Sequence, residues 1–154
     1  MKRLLIIIAG SILLAFIVIQ FFRPEKNQSA VTTDDIIYTL EIPNSVKRTL
    51  VNACYDCHSN QTRYPWYSNI APVSWMLANH VKEGKEHLNF SAWKQYSKRE
   101  QISQLDDICE MVEKREMPLK SYTFMHSEAI ILEYQVKELC TWTEAAARSI
   151  MTGN

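Results

Sequence analysis

The residues with the clearest chemical potential are two cysteines and a histidine within five consecutive positions, Cys54-Tyr55-Asp56-Cys57-His58. Two thiols three residues apart lie on one side of a helical turn, and an imidazole follows directly. This spacing is the attachment signature of c-type haem, in which each thiol adds to one vinyl group and the histidine binds the iron from the proximal side. The motif therefore predicts one covalently bound haem, with Cys54, Cys57 and His58 as its attachment and metal-binding residues.

Three other interpretations of the paired thiols compete with haem attachment. A thioredoxin-like dithiol belongs near a βαβ pattern, and the sequence shows none. Half of a zinc site would need His80, His87 or Cys109 as further ligands, and none of them shows paired ligand spacing. A plain disulfide is the third possibility, provided that the motif lies outside the cytoplasm.

An apolar segment at the N-terminus predicts a membrane anchor. Residues 4–22 carry no charge and would form a helix of roughly 28 Å, close to the hydrocarbon thickness of about 30 Å. A cleaved signal peptide is the alternative, but its apolar core is normally shorter. Lys2 and Arg3 are expected to stay in the cytoplasm, so that the chain is a single-pass protein of the cytoplasmic membrane with its domain facing the periplasm. This orientation supports haem attachment, since attachment of this type takes place outside that membrane.

The composition excludes several function classes. The 154-residue chain has 17 basic and 17 acidic residues, so it lacks the basic excess of a nucleic-acid-binding protein. Its three glycines cannot form a Gly-rich phosphate loop. Residues 31–154 contain 13 of the basic and 16 of the acidic residues, which gives a net charge of −3. This mild negative charge gives no strong electrostatic field. The scarcity of glycine favours a compact all-α fold.

The apolar periodicity predicts four helices after the anchor, joined by Pro-containing loops. They are expected at about 44–57, 72–88, 98–116 and 127–150. The predicted division of the chain is a cytoplasmic N-terminus at 1–3, an anchor at 4–22, a linker at 23–35 and a haem-binding domain at 36–150.

The domain also resembles a known family. The segment CYDCHSNQTRYPWYSNIAPVSW, together with HVKEGKEHLNFSAW, EMP, SYT and a tryptophan near the C-terminus, is similar to the small single-haem "haem-binding domain" family of bacterial envelope proteins. That family is in turn similar to the monohaem c-type cytochromes. The resemblance covers residues 36–143 and implies an all-α, cytochrome-c-like fold with one covalent haem.

The second axial ligand is expected from a later loop, as in helical cytochromes. Met117 is favoured because it ends a predicted helix and precedes Pro118, which restrains the backbone around it. A thioether is a soft ligand that favours ferrous iron and raises the redox potential. His126, which would give a bis-histidine haem of lower potential, is the chief alternative. Met125 and an open sixth position are the remaining ones.

Three further residues are predicted to surround the cofactor. By resemblance to other c-type cytochromes, the carbonyl of Pro72 is expected to accept a hydrogen bond from the second ring nitrogen of His58, with Pro65 as the alternative. Trp66 and Trp75 belong to an aromatic cluster just after the motif and are expected to contact the porphyrin. Ordinary packing is the competing role for these two side chains.

The remaining two cysteines admit two interpretations. Cys109 and Cys140 are expected to be small buried hydrophobic residues with free thiols. A disulfide between the third and last helices is the alternative, since an oxidising compartment permits it.

Two functions remain open at this point. The first is an electron carrier, rather than an enzyme, that passes single electrons to a redox partner protein in the cell envelope. The alternative is a haem-based sensor or small peroxidase whose distal position is labile.

Overall fold

The computed structural model describes residues 1–30 and 32–153, and about 70% of the chain is helical. Among those residues no β-strand forms, and a single antiparallel bridge joins Gln28 to Gln61. The all-α prediction is therefore confirmed. The α-helices are α1 (Lys2–Ile19), α2 (Ile36–Thr39), α3 (Asn44–Ala53), α4 (Tyr55–His58), α5 (Val73–His87), α6 (Lys98–Glu113), α7 (Lys120–Met125) and α8 (Glu133–Thr152). Short 3₁₀ helices lie at Trp66–Asn69, Phe90–Gln95 and Ser127–Ala129.

Helix α1 is apolar on all faces and long enough to cross a membrane. None of its residues is buried by the rest of the protein. It ends at Ile19, three residues before the predicted end at Phe22. The next three residues bond to carbonyls three positions back, so the last turn tightens rather than stopping abruptly.

Helices α3, α6 and α8 enclose the hydrophobic core. Leu50, Leu105 and Leu139, one from each helix, are fully buried together with Trp93 and Phe90. Leu50 and Leu105 belong to the apolar stripes that predicted their helices, whereas Phe90 and Trp93 lie in a 3₁₀ helix outside the predicted helices.

A disulfide joins Cys109 on α6 to Cys140 on α8. The expectation that both residues stay as free thiols is wrong. The packing of α6 on α8 brings their Cα atoms to 4.9 Å, which is within the range that a disulfide requires.

Several element boundaries differ from the prediction. The first predicted helix is two helices, because the backbone of Cys54 (φ −123°, ψ −40°) leaves helical geometry between α3 and α4. The third ends at Glu113, two residues before Arg115 adopts a positive φ of 58°. Helix α7 forms where a loop was predicted, and α8 begins at Glu133 instead of residue 127.

Candidate haem-attachment site

Helix α4 places both thiols of the motif on one turn. The backbone N–H groups of Cys57 and His58 both donate to the carbonyl of Cys54, at 3.2 and 2.9 Å. Cys54 and Cys57 are half-buried and free, since the other two cysteines of the chain are bonded to each other. The motif therefore presents two unpaired thiols followed by an imidazole.

The two thiols are protonated at neutral pH. Burial raises the pKa of Cys54 to about 12, and burial together with the charge of Asp56 raises the pKa of Cys57 to about 11. Dithiol oxidoreductases need the opposite, because their attacking cysteine has a lowered pKa. The site is therefore unlike a thioredoxin-type dithiol.

The ring of His58 is oriented by the end of α5. Its Nδ1 lies 3.1 Å from the carbonyl oxygen of Leu88, which can only accept, so Nδ1 carries the proton and Nε2 offers a lone pair. Burial lowers the pKa of the imidazole, which keeps the ring neutral. A neutral imidazole that donates its one N–H to a carbonyl and keeps a lone pair on the other nitrogen is the usual form of a metal-ligating histidine.

The prediction that the carbonyl of Pro72 accepts a hydrogen bond from His58 is wrong. This carbonyl accepts from the backbone N–H groups of Trp75 and Met76 in the first turn of α5. Leu88 directly follows the last turn of α5, so no helical N–H four residues further on donates to its carbonyl. The carbonyl is therefore available to a side chain. The sequence prediction placed the acceptor at the correct helix, α5, but at its N-terminal end instead of its C-terminal end.

The two residues between the cysteines anchor the motif to the domain. The Tyr55 hydroxyl donates to Asp35 at 2.6 Å, and the ring of Tyr55 stacks on Phe90 with centroids 5.1 Å apart. Asp35 also accepts from the hydroxyl of Ser91 at 3.0 Å. The buried carboxylate of Asp35, directly before α2, thus joins α4 to the 3₁₀ helix Phe90–Gln95.

Asp56 anchors the same turn through different partners. Its buried carboxylate accepts from the backbone N–H of Arg63 at 3.0 Å and from the guanidinium at 3.1 and 3.2 Å. The hydroxyl of Tyr122 donates to the same carboxylate at 2.6 Å. Helix α7 is therefore attached directly to the Cys54–His58 turn.

Gly84 allows α5 to approach α4. A Cβ atom at this position would lie 2.7 Å from the carbonyl oxygen of Cys57, closer than any real Cβ contact. The neighbouring atom is backbone, so no side chain can rotate away to make room. A glycine is required here because of the close approach and not because of an unusual backbone conformation.

We expect Gly84→Ala to lower the free energy of unfolding by about 1–3 kcal/mol, the usual range for overpacking. At an ordinary helix position the same change would stabilise by about 1 kcal/mol, so the expected sign is opposite to that of helix propensity. The measurement is denaturant unfolding, together with the yield of haem-loaded protein. Gly10→Ala, where no atom lies within 4 Å of the added Cβ, is the control. Equal stability of the Gly84 variant and the wild type would contradict the argument.

The predicted distal ligands lie around α7. Met117 is half-buried in the loop between α6 and α7, and its backbone N–H donates to the carbonyl of Met111. His126 follows α7, and both of its ring nitrogens are engaged. Nε2 lies 2.6 Å from the Tyr67 hydroxyl and Nδ1 lies 3.1 Å from a carboxylate oxygen of Glu128. Met125 ends α7 and is exposed.

The two predicted tryptophans both lie at the surface. Trp66 is 74% exposed and makes an edge contact with Tyr67. Trp75 is 40% exposed, and its indole N–H donates to the carbonyl of Phe22 at 2.6 Å. Their expected contact with the porphyrin stays a prediction.

Four residues of this site were not found from the sequence: Tyr55, Asp56, Gly84 and Leu88. The first two occupy the variable positions of the attachment motif, which the motif itself leaves undefined. A glycine inside a predicted helix was a usable signal, because such a residue often marks a close packing contact. The role of Leu88 depends on its backbone carbonyl, for which the residue type carries no signal.

Comparison with known proteins supports haem as the cofactor. No curated protein and no solved structure matches the chain significantly. The sequence profile of the haem-binding domain family matches residues 14–145, which is most of the chain and includes α4, α5 and α7. The matched region contains free thiols and an oriented imidazole, the donor set that a covalently attached haem requires. The chain belongs to the haem-binding domain family.

Proposed function

We propose that this protein is a membrane-anchored c-type haem protein that transfers single electrons at the outer face of the cytoplasmic membrane. The observation that carries the proposal is the geometry of α4. Two free thiols share one turn, and the adjacent imidazole is held by the Leu88 carbonyl so that Nε2 is available.

The chain's own residues have separate tasks in this proposal. When bound, haem supplies a reversible one-electron change of its iron. Cys54 and Cys57 would hold the haem through two thioethers, since an S–H can add across a vinyl double bond without a leaving group. His58 would bind the iron through Nε2, with its ring held by the Leu88 carbonyl. Tyr55 and Asp56 keep the turn in place, which limits the reorganisation that a change of iron charge would otherwise cause.

Met117 is the proposed distal ligand. The bond from Tyr122 to Asp56 attaches α7 to the haem motif, and the Met117 loop leads directly into α7. His126 is disfavoured because binding iron through either nitrogen would break a hydrogen bond, to Tyr67 or to Glu128. Two firmly held axial ligands suit electron transfer, whereas a labile position would suit a sensor or peroxidase.

The location follows from α1. Its length and apolar composition support a membrane anchor, and Lys2 and Arg3 favour a cytoplasmic N-terminus. The domain would then face the periplasm, where the motif can be loaded with haem. A redox partner protein in the cell envelope would exchange electrons with it.

The test of attachment is expression of the full chain with the haem-attachment machinery. We expect covalent haem that survives denaturing electrophoresis and stains on the gel. Cys57→Ser is expected to lose most of this covalent haem. A Cys57→Ser protein with undiminished covalent haem would contradict the assignment of this thiol.

Met117→Ala is expected to convert the haem from six-coordinate and low-spin to a form that binds carbon monoxide. The reason is that the alanine side chain has no atom able to bind iron. The measurements are the weak red absorption band of methionine–iron coordination, which should disappear, and carbon monoxide binding, which should become stoichiometric. His126→Ala is the matched control and should keep the band. Rapid carbon monoxide binding by the wild-type ferrous protein would instead favour a sensor or peroxidase.

A further inference from the structure

The C-terminal end of α1 is fixed to the haem domain by hydrogen bonds. The side-chain amide of Gln20 makes a reciprocal pair with the backbone of Ala71. Its Nε2 donates to the Ala71 carbonyl at 3.1 Å, and its Oε1 accepts from the Ala71 N–H at 2.9 Å. The indole of Trp75 donates to the Phe22 carbonyl two residues further along. The start of α5 is therefore attached to the last apolar residues of the predicted span.

The segment after α1 is also bound to the domain. The side-chain amide of Asn27 donates to the Ser59 carbonyl at 2.7 Å and to the Thr62 hydroxyl at 2.9 Å, and its oxygen accepts from Lys85 at 2.7 Å. The backbone N–H of Thr62 donates to the Asn27 carbonyl at 3.0 Å. Because Ser59 directly follows His58, these bonds connect the exit of α1 to the haem motif without a free tether.

The domain side of this junction, residues 64–81, carries no charged side chain and exposes several apolar ones, whereas the linker side carries Arg23 and Lys26, with Lys26 over the ring of Tyr64. Residues 64–81 contain no Asp, Glu, Lys or Arg, although 22% of the whole chain is charged. Within this stretch Trp66, Ile70, Trp75 and Met76 are exposed to solvent. Phe21 and Phe22 at the end of the apolar run are exposed as well. Tryptophan and uncharged polar residues beside apolar side chains are typical of the boundary between lipid and water.

The depth of this surface follows from the length of the span. If residues 4–22 cross the hydrocarbon core, its outer boundary lies close to Phe22. Trp75 donates to the Phe22 carbonyl at 2.6 Å, so its indole lies at the same level. We propose, on the basis of the membrane anchoring proposed above, that residues 64–79 lie in the headgroup region of the bilayer at the foot of α1. The haem motif is then held at a fixed position against the membrane surface.

A role of Trp66 and Trp75 against the porphyrin competes with this proposal, as does cover by a second protein chain. Both alternatives would shield the segment from lipid. Lipid photolabelling of the haem-loaded, full-length protein in nanodiscs distinguishes the proposal from these alternatives. The probe is a phospholipid with a diazirine near the top of its acyl chain, in phosphatidylcholine and phosphatidylglycerol. Trypsin releases residues 64–82 as one peptide, since it cuts after Arg63 and Lys82 and no other Lys or Arg lies between them.

Photolabel is expected on α1 and on the 64–82 peptide. The label on 64–82 should exceed that on the 100–114 peptide of α6, freed from its disulfide partner by reduction of the digest, by about fivefold or more. Gln20→Ala removes the pair with Ala71 and should lower the label on 64–82 while leaving α1 labelled. Label on α1 without label on 64–82 would overturn the docking and leave the anchor standing. Equal label on the 64–82 and 100–114 peptides would also overturn it. Absence of label from α1 as well would overturn the anchor and the docking together.

Discussion

Asp56→Ala is expected to lower the free energy of unfolding by about 2–3 kcal/mol and to reduce the yield of haem-loaded protein. Loss of a buried ion-pair partner costs about 3–5 kcal/mol, and we reduce this figure because the Arg63 side chain is 51% exposed. The variant removes the acceptor of the Arg63 backbone N–H and leaves the Tyr122 hydroxyl only its longer contact of 3.4 Å to the Asn52 carbonyl. Helix α7 would then lose its attachment to the haem motif.

The measurement is denaturant unfolding of the full chain in detergent, followed by circular dichroism, for wild type and variant in the same haem state. Asp34→Ala is the matched control, because Asp34 pairs with Lys94 at 3.9 Å on the surface and such pairs contribute about 0–1 kcal/mol. Asp56→Asn should be intermediate, since the amide keeps one acceptor oxygen but loses the charge. Similar costs for the Asp56 and Asp34 alanine variants would refute the anchoring role.

Removal of the disulfide is expected to have the second large effect. The Cys109→Ser, Cys140→Ser variant should lose about 3–4 kcal/mol, because a cross-link between residues 31 positions apart restricts the unfolded chain. It should also load less haem, since α6 and α8 support the core on which α3 and the motif rest. Thermal and denaturant unfolding of the oxidised wild type and the double variant measure the difference.

A reductant supplies the control for this prediction. Dithiothreitol should lower the stability of the wild type to that of the double variant and leave the variant unchanged. The thioethers proposed at Cys54 and Cys57 are not disulfides, so the reductant should not release haem. A wild type that keeps its full stability after complete reduction would show that the cross-link contributes nothing.

The anchoring of the motif bears on the proposed electron transfer. Tyr55 and Asp56 attach α4 to two different parts of the domain, through Asp35 and through Arg63 with Tyr122. A turn held at two residues fixes the position of the thiols and of His58 before any cofactor is attached. Preorganisation of this kind is what a binding site gains from a rigid supporting shell.

The sequence by itself was sufficient to predict the all-α fold class and haem as the cofactor. Apolar periodicity located α3, α5, α6 and most of α8, because a helix that buries one face must repeat its apolar residues every three or four positions. The five residues from Cys54 to His58 indicated haem, because covalent attachment needs these side chains at this local spacing. Local spacing is a property of the chain that folding does not alter.

Only the tertiary structure decided which groups support those five residues. The acceptor for His58 is the carbonyl of Leu88 and not of Pro72, and a backbone carbonyl is the same in every residue type. Asp56 meets Tyr122 across 66 positions, and Cys109 meets Cys140 across 31. Gly84 is needed because one backbone passes close to another. Such contacts depend on how helices pack in space, which periodicity along a single helix does not determine.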